Sequence, residues 1–115
     1  MEIITNWNVS KNDVVIYIME SSVKAFCELS YYKNEMHNMF FSNLNVEERF
    51  RHKGLATELI SSVMDIARNK GCEYLYLDAD MDNGKEWLLE WYKKLGFIPF
   101  NTAENGNINM FKKLI

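Results

Sequence analysis

The hydrophobic period of this chain changes twice within one stretch, and that change limits the folds open to it. Residues 36 to 46 are rich in the aromatic and alternating types of a strand. From Leu55 onward the apolar positions become Leu55, Leu59, Ile60, Val63, Ile66 and Ala67, with Glu58, Ser61, Ser62, Asp65 and Arg68 opposite. That spacing predicts a helix with one stripe toward a core, and Gly71 is placed to end it. Residues 73 to 80 (EYLYLDAD) return to a strand pattern. A strand, helix, strand succession favours a right-handed crossover onto a parallel neighbour. The two strands are therefore expected side by side and parallel.

The flanks read as antiparallel. Residues 13 to 20 and 23 to 32 form a predicted hairpin about Ser21-Ser22. Val23, Ala25, Cys27, Leu29 and Tyr31 fall on one face of its second strand, and Lys24, Glu28 and Ser30 on the other. Upstream, Ile3, Ile4 and Trp7 suggest a short edge strand, joined to the hairpin by Ser10-Lys11-Asn12. Residues 85 to 95 carry Trp87, Leu88, Trp91, Tyr92 and Leu95 at helical spacing, with Gly96 just beyond. Strands at 97 to 101 and 107 to 114 flank the turn dipeptide Asn105-Gly106. The predicted fold is a mixed α/β sheet with one parallel crossover, formed by one domain over residues 1 to 115.

Composition narrows the function classes. An apolar fraction of 48% and an aromatic fraction of 14% mark a globular chain. No window approaches the roughly 18 apolar residues of a membrane span, and the first ten residues lack a basic leader. A soluble, cytoplasmic protein with no membrane partner is expected. The net charge of -3 argues against a nucleic-acid partner. Cys27 and Cys72 sit in apolar runs without a partner at metal or redox spacing, so they are expected as free buried thiols. His37 and His52 are the only histidines, and Asp78, Asp80 and Asp82 lack the glycine and glutamate of a calcium loop. No metal site is expected.

The segment NLNVEERFRHKGLATELI carries the chemistry. A strand runs through a polar loop into a helix opening at Gly54, which leaves free amides converging on one spot. The macrodipole favours an anion there, Arg51, His52 and Lys53 add positive or hydrogen-bonding side chains, and Gly54 admits a ligand close to the backbone. A pyrophosphate suits such a place. Neither a P-loop nor a Rossmann glycine fingerprint is present. On spacing alone, a helix that merely starts at Gly54 beside a solvated basic loop is an equal reading.

Arg51-His52-Lys53-Gly54-Leu55-Ala56 resembles the Arg/Gln-x-x-Gly-x-Gly/Ala motif of the Gcn5-related N-acetyltransferases, and Leu44-Asn45-Val46 resembles the bulged strand end before it. Residues 89 to 97 (LEWYKKLGF) are similar to the family's helix ending in Tyr-x-x-x-Gly-Phe. The resemblance covers about residue 13 to the C-terminus. It implies a GNAT-like acyl-CoA N-acyltransferase fold, with acetyl-CoA as co-substrate held by Leu44, Asn45, Val46, Arg51, His52, Lys53, Gly54, Leu55, Ala56, Thr57 and Asn83. It implies direct attack of a primary amine on the thioester, with Tyr92 as general acid and Asp78 as a candidate base, Glu47 and Glu48 being further candidates. A non-catalytic acyl-CoA-binding or protein-interaction module is the alternative.

Two departures from the family shape this expectation. Relatives usually place two helices between their first two strands, where only Ser10-Lys11-Asn12 stands here. The acceptor side is then expected to lie open, suiting a protein acceptor, unless a homodimer contact near Trp7 or Trp87 supplies the wall. The asparagine that many relatives carry seven positions before the tyrosine is Lys85 here, with Asn83 two residues earlier. The glutamate of histone-modifying relatives falls near Phe40, so that base is missing.

Overall fold

Alternation of large apolar and polar side chains drives the strands together, and the order in which they pair follows from the links between them. In a computed structural model, residues 2–22, 25–51, 53–82 and 87–115 are described. The elements run β1 (Ile3–Val9), β2 (Asp13–Glu20), β3 (Ala25–Tyr32), β4 (Asn38–Val46), a one-turn 3-10 helix (Glu48–Phe50), α1 (Leu55–Asn69), β5 (Tyr74–Ala79), α2 (Trp87–Lys94), β6 (Ile98–Thr102) and β7 (Ile108–Lys113). Among the described residues these strands form one sheet in the order β1-β2-β3-β4-β5-β7-β6. The pair β4 and β5 is parallel, as the crossover through α1 requires, and the other pairs are antiparallel.

Two boundaries stand out against the sequence reading. The edge strand is longer than expected: β1 pairs along its whole length with β2, from Ile3 against Glu20 to Val9 against Val14. The Ser10 amide donates to the Asp13 carbonyl at 2.9 Å, closing a tight hairpin whose register carries through Asn6 and Asn8. The strand expected from residue 36 begins at Asn38. Turn hydrogen bonds from Glu35 to Tyr32 and from Asn38 to Glu35 occupy the preceding residues. The start expected for the second helix lies outside the described residues.

All of the core lies on one side of the sheet. Ile16, Ile18, Cys27, Leu29, Met39, Leu75 and Met110 project from the strands onto Leu59, Ile60, Val63 and Ala67 of α1 and Tyr92 of α2. Fully burying one such aliphatic side chain contributes about 1.5–3 kcal/mol, so the α1 stripe alone fixes that helix on the sheet. No described helix covers the opposite face, where Phe26, Tyr32, Phe40 and Phe100 remain exposed. The link between β1 and β2 is three residues long, as expected, and holds no helix that could cover it. At the β1 edge the Lys70 ammonium stands 4.5 Å from the Trp7 ring centroid, so the end of α1 grips the edge strand.

Candidate active site

The parallel pair is short. Asn38, Met39 and Phe40 pair with Tyr74, Leu75 and Tyr76, and beyond them β4 runs on to Val46 and β5 to Ala79 without pairing to each other. The cause is a bulge in β4. Ser42 faces Glu28 and Asn45 faces Phe26, so Asn43 and Leu44 together stand opposite Cys27. Asn43 adopts φ 55°, the one positive φ outside glycine among the described residues. Such a bulge bends and twists its strand, and β4 swings away from β5 to leave a wedge with an open strand edge.

The first turn of α1 closes the far end of β4. Gly54 holds φ 82° and no side chain caps the helix, whose first bond runs from the Glu58 amide to the Gly54 carbonyl at 3.0 Å. The amides of Leu55, Ala56 and Thr57 therefore lack intrahelical partners. A Cβ built on Gly54 would meet no described residue within 4 Å, so the space beside this glycine at the helix start is open among the described residues. The Arg51 Nε donates to the Val46 carbonyl at 3.0 Å, which ties the basic loop to the strand end. Lys53 Nζ lies 5.8 Å from the Phe50 ring centroid, and Arg49 pairs with Glu47 at 2.7 Å. Free amides, a helix N-terminus, Arg51, Lys53 and open space fit a diphosphate. His52 and Asn83, both expected at this site, lie outside the described residues.

Tyr92 sits at the apex of the wedge on the helix-covered side. Its ring lies 6.4 Å from Phe41 and 5.9 Å from Phe97, and it is 5% exposed. Burial, with a smaller contribution from Cys27, pushes its phenol up to about 12. The phenol therefore stays protonated at neutral pH and can donate. A lysine that sequence reading missed seats this helix. Lys112 Nζ donates to the Leu95 carbonyl at 2.9 Å, and Gly96, at φ 97°, leaves room for the ammonium where a Cβ would come within 2.3 Å of it. The available signal was parity, since Lys112 shares its face of β7 with the core residue Met110.

Asp78 projects the other way. Its neighbours Leu77 and Ala79 are buried toward the helices, so its carboxylate stands exposed on the uncovered face. There it accepts a hydrogen bond from Asn109, whose own side-chain oxygen accepts from Asn101 at 2.7 Å. The structure thus places Tyr92 and Asp78 on opposite faces of one sheet, and Asp78 is a surface acid rather than a partly buried one. Glu28, also unforeseen as a site residue, shares the open face and accepts from Asn43 and Ser42. His37 is exposed, and Cys27 and Cys72 are free and buried. Among the described residues no cluster of His, Cys, Asp and Glu is arranged to hold a metal.

Two shallow depressions mark the uncovered face. One, of about 360 Å³, is lined by Tyr74, Tyr76, Phe100 and Phe111. The other, of about 330 Å³, includes Val15, Ser30, Tyr32 and Phe40. Both are surface hollows in a bare aromatic sheet.

A splayed parallel pair, a bulged strand edge and an uncapped helix start, joined on one sheet, define an acyl-CoA N-acyltransferase fold. The chain belongs to the Acetyltransferase (GNAT) family, whose profile matches residues 2–97. It is 25% identical over 85 residues to N-alpha-acetyltransferase 30 of Schizosaccharomyces pombe, covering 74% of this chain. This chain spans about half, 55%, of that protein's length. Among solved structures, an aminoglycoside 6'-N-acetyltransferase complexed with coenzyme A superposes with a TM-score of 0.74 at 19% identity, covering 92% of this chain and 75% of that one. The ribosomal-protein-S18-alanine N-acetyltransferase from Escherichia coli gives a TM-score of 0.70 at 16% identity, covering 92% and 72%. These likenesses establish the fold.

Proposed function

We propose that this protein is an N-acetyltransferase that moves an acetyl group from acetyl-CoA to a primary amine on a large acceptor, a protein. The observation that carries the reading is the wedge between β4 and β5 ending at the uncapped N-terminus of α1. Leu55, Ala56 and Thr57 amides with Arg51 and Lys53 would hold the pyrophosphate, and the free edge at Leu44, Asn45 and Val46 would hold the pantetheine arm. That co-substrate supplies a thioester carbonyl: the amine nitrogen forms the C–N bond, the C–S bond breaks, and the leaving thiolate takes a proton.

The two faces of the sheet divide the proton traffic in this reading. Tyr92, protonated and buried on the helix side, is the donor to the departing sulfur. The amine approaches from the uncovered face, where Asp78 stands exposed and able to accept its proton directly or through water. Separation of acid and base across the sheet suits direct attack, because one proton leaves the attacking nitrogen and the other reaches the departing sulfur, two different substituents of the carbonyl carbon. That no helix among the described residues covers that face supports a macromolecular acceptor over a small enclosed one. A cytoplasmic setting suits the two free thiols.

Calorimetric titration with acetyl-CoA and CoA, followed by a turnover screen of peptide amines against small polyamines, tests the proposal. Saturable binding with peptide turnover is the expected result, and absence of binding overturns it. One observation favours a binding module instead: the one charged residue buried among those described, Glu20, already has its carboxylate engaged at a turn by Ser21 and Ser22. Binding without turnover on any amine would establish that second reading. Light scattering in the same series reports whether a second copy closes the open face.

A further inference from the structure

The bulge in β4 opens the wedge, yet nothing in the local sequence favours it strongly. Asn43 must hold φ 55°, a conformation that side chains other than glycine rarely adopt, although asparagine tolerates it better than most. Something must hold the distortion, and the neighbouring strand carries it. Cys27 and Leu29 are buried toward the helices, so Glu28 between them points to the open face, directly opposite Ser42. Its Oε2 accepts from Asn43 Nδ2 at 2.5 Å and from Ser42 Oγ at 3.4 Å. Among the described residues it meets no Lys, Arg or His nitrogen in an ion pair.

We propose that Glu28 is a positioning residue whose carboxylate, bound to the Asn43 side chain, locks the β4 bulge and thereby sets the strand edge along which acetyl-CoA lies. The proposal rests on the reading of that edge as the co-substrate's strand. A charged acceptor makes the bond to the Asn43 amide stronger than a neutral pair would. It acts where the chain has least intrinsic preference for the geometry. Glu28 itself stands on the far side of β3 from the core, so its removal leaves the aliphatic packing intact. Its role is separable from that of Asp78, which belongs to the other strand of the wedge.

The test compares Glu28→Ala, Glu28→Gln, Asn43→Ala and the Glu28→Ala/Asn43→Ala pair with the unaltered protein. Calorimetric Kd for CoA, measured without an acceptor, is one readout, and amide exchange of residues 43 to 46 in the ligand-free protein is the other. Glu28→Ala is expected to weaken CoA about tenfold and to speed exchange at the bulge. Glu28→Gln, which keeps an oxygen for the Asn43 amide, restores most of both, and the double variant is no weaker than the weaker single one. If the unaltered protein binds CoA and Glu28→Ala changes neither readout, the clamp is wrong. If Glu28→Gln binds CoA normally but loses turnover together with a limb of its pH profile, Glu28 is a base and the positioning role is overturned. Faster exchange in Glu28→Ala, in a protein that binds no CoA at all, would keep the clamp and remove the co-substrate reading instead.

Discussion

The rings of Tyr92 and Phe41 meet edge to face at 6.4 Å, one residue past the last pairing between β4 and β5. This contact joins α2 to the strand that leaves the sheet, and it places a protonated phenol where the two strands part. Tyr92→Phe keeps the ring contact and removes only the hydroxyl. Turnover is expected to fall by about two orders of magnitude, the usual worth of a general acid, with CoA affinity and melting temperature nearly unchanged. Single-turnover rates beside a CoA titration check this. Undiminished turnover would return Tyr92 to a packing role.

Gly54 offers a second separation of binding from stability. Its φ of 82° costs a residue with a Cβ about 1–2 kcal/mol, yet the space around it is open, so Gly54→Val is expected to fold with a lowered melting temperature. The side chain would project where a pyrophosphate must approach the α1 amides. CoA affinity is expected to drop far more than that strain explains, by about a hundredfold or more, since the amides and dipole act together. Intact CoA affinity in a folded variant would contradict the placement of the site.

Alkali should unfold this protein for an identifiable reason. Burial raises Cys27 from 9.0 to about 12 and Tyr92 from 10.0 to about 12. Below pH 9 both groups are neutral whether the chain is folded or not. Above it the unfolded chain releases protons that the folded one keeps, so stability falls with rising pH until the folded values are passed. Each group contributes a slope of up to about 1.4 kcal/mol per pH unit over its interval. Denaturant melts from pH 7 to 11 should show a plateau and then a decline, and Cys27→Ala with Tyr92→Phe should flatten the decline relative to its own plateau.

Lys112 links β7 to the end of α2. Lys112→Met keeps the aliphatic stem and loses the bond to the Leu95 carbonyl, a cost of about 1.5–3 kcal/mol for a hydrogen bond to a charged group. Gly96→Ala is expected to cost as much or more, because it displaces the ammonium and also strains a backbone at φ 97°. Thermal melts of both and of the double variant check this. The two effects should fall short of adding, as they share one contact.

Much of this architecture is legible in the amino-acid sequence. The stripe from Leu55 to Ala67, the alternation in β3 and the glycines at 54, 71 and 96 announced the elements and their order, because burial of a periodic face is a local property of the chain. The glycine-led helix start and its basic neighbours marked the proposed anion-binding segment for the same reason. Asn6 and Asn8 hid the full length of β1, whose pairing depends on β2 rather than on its own apolar content.

What the sequence by itself determined was therefore the set of elements, the crossover and the likeness to one family of folds. Only the tertiary structure decided which side of the sheet each candidate residue serves. Tyr92 and Asp78 could be named from their motifs, but their placement on opposite faces follows from the parity of β5 and the packing of α2, which no local pattern specifies. Glu28 was one more polar position on a half-buried strand until register set it across from Ser42 and beside Asn43. Register and facing are long-range quantities, fixed when strands distant in sequence bury their apolar sides together, and the wedge exists only once they have done so.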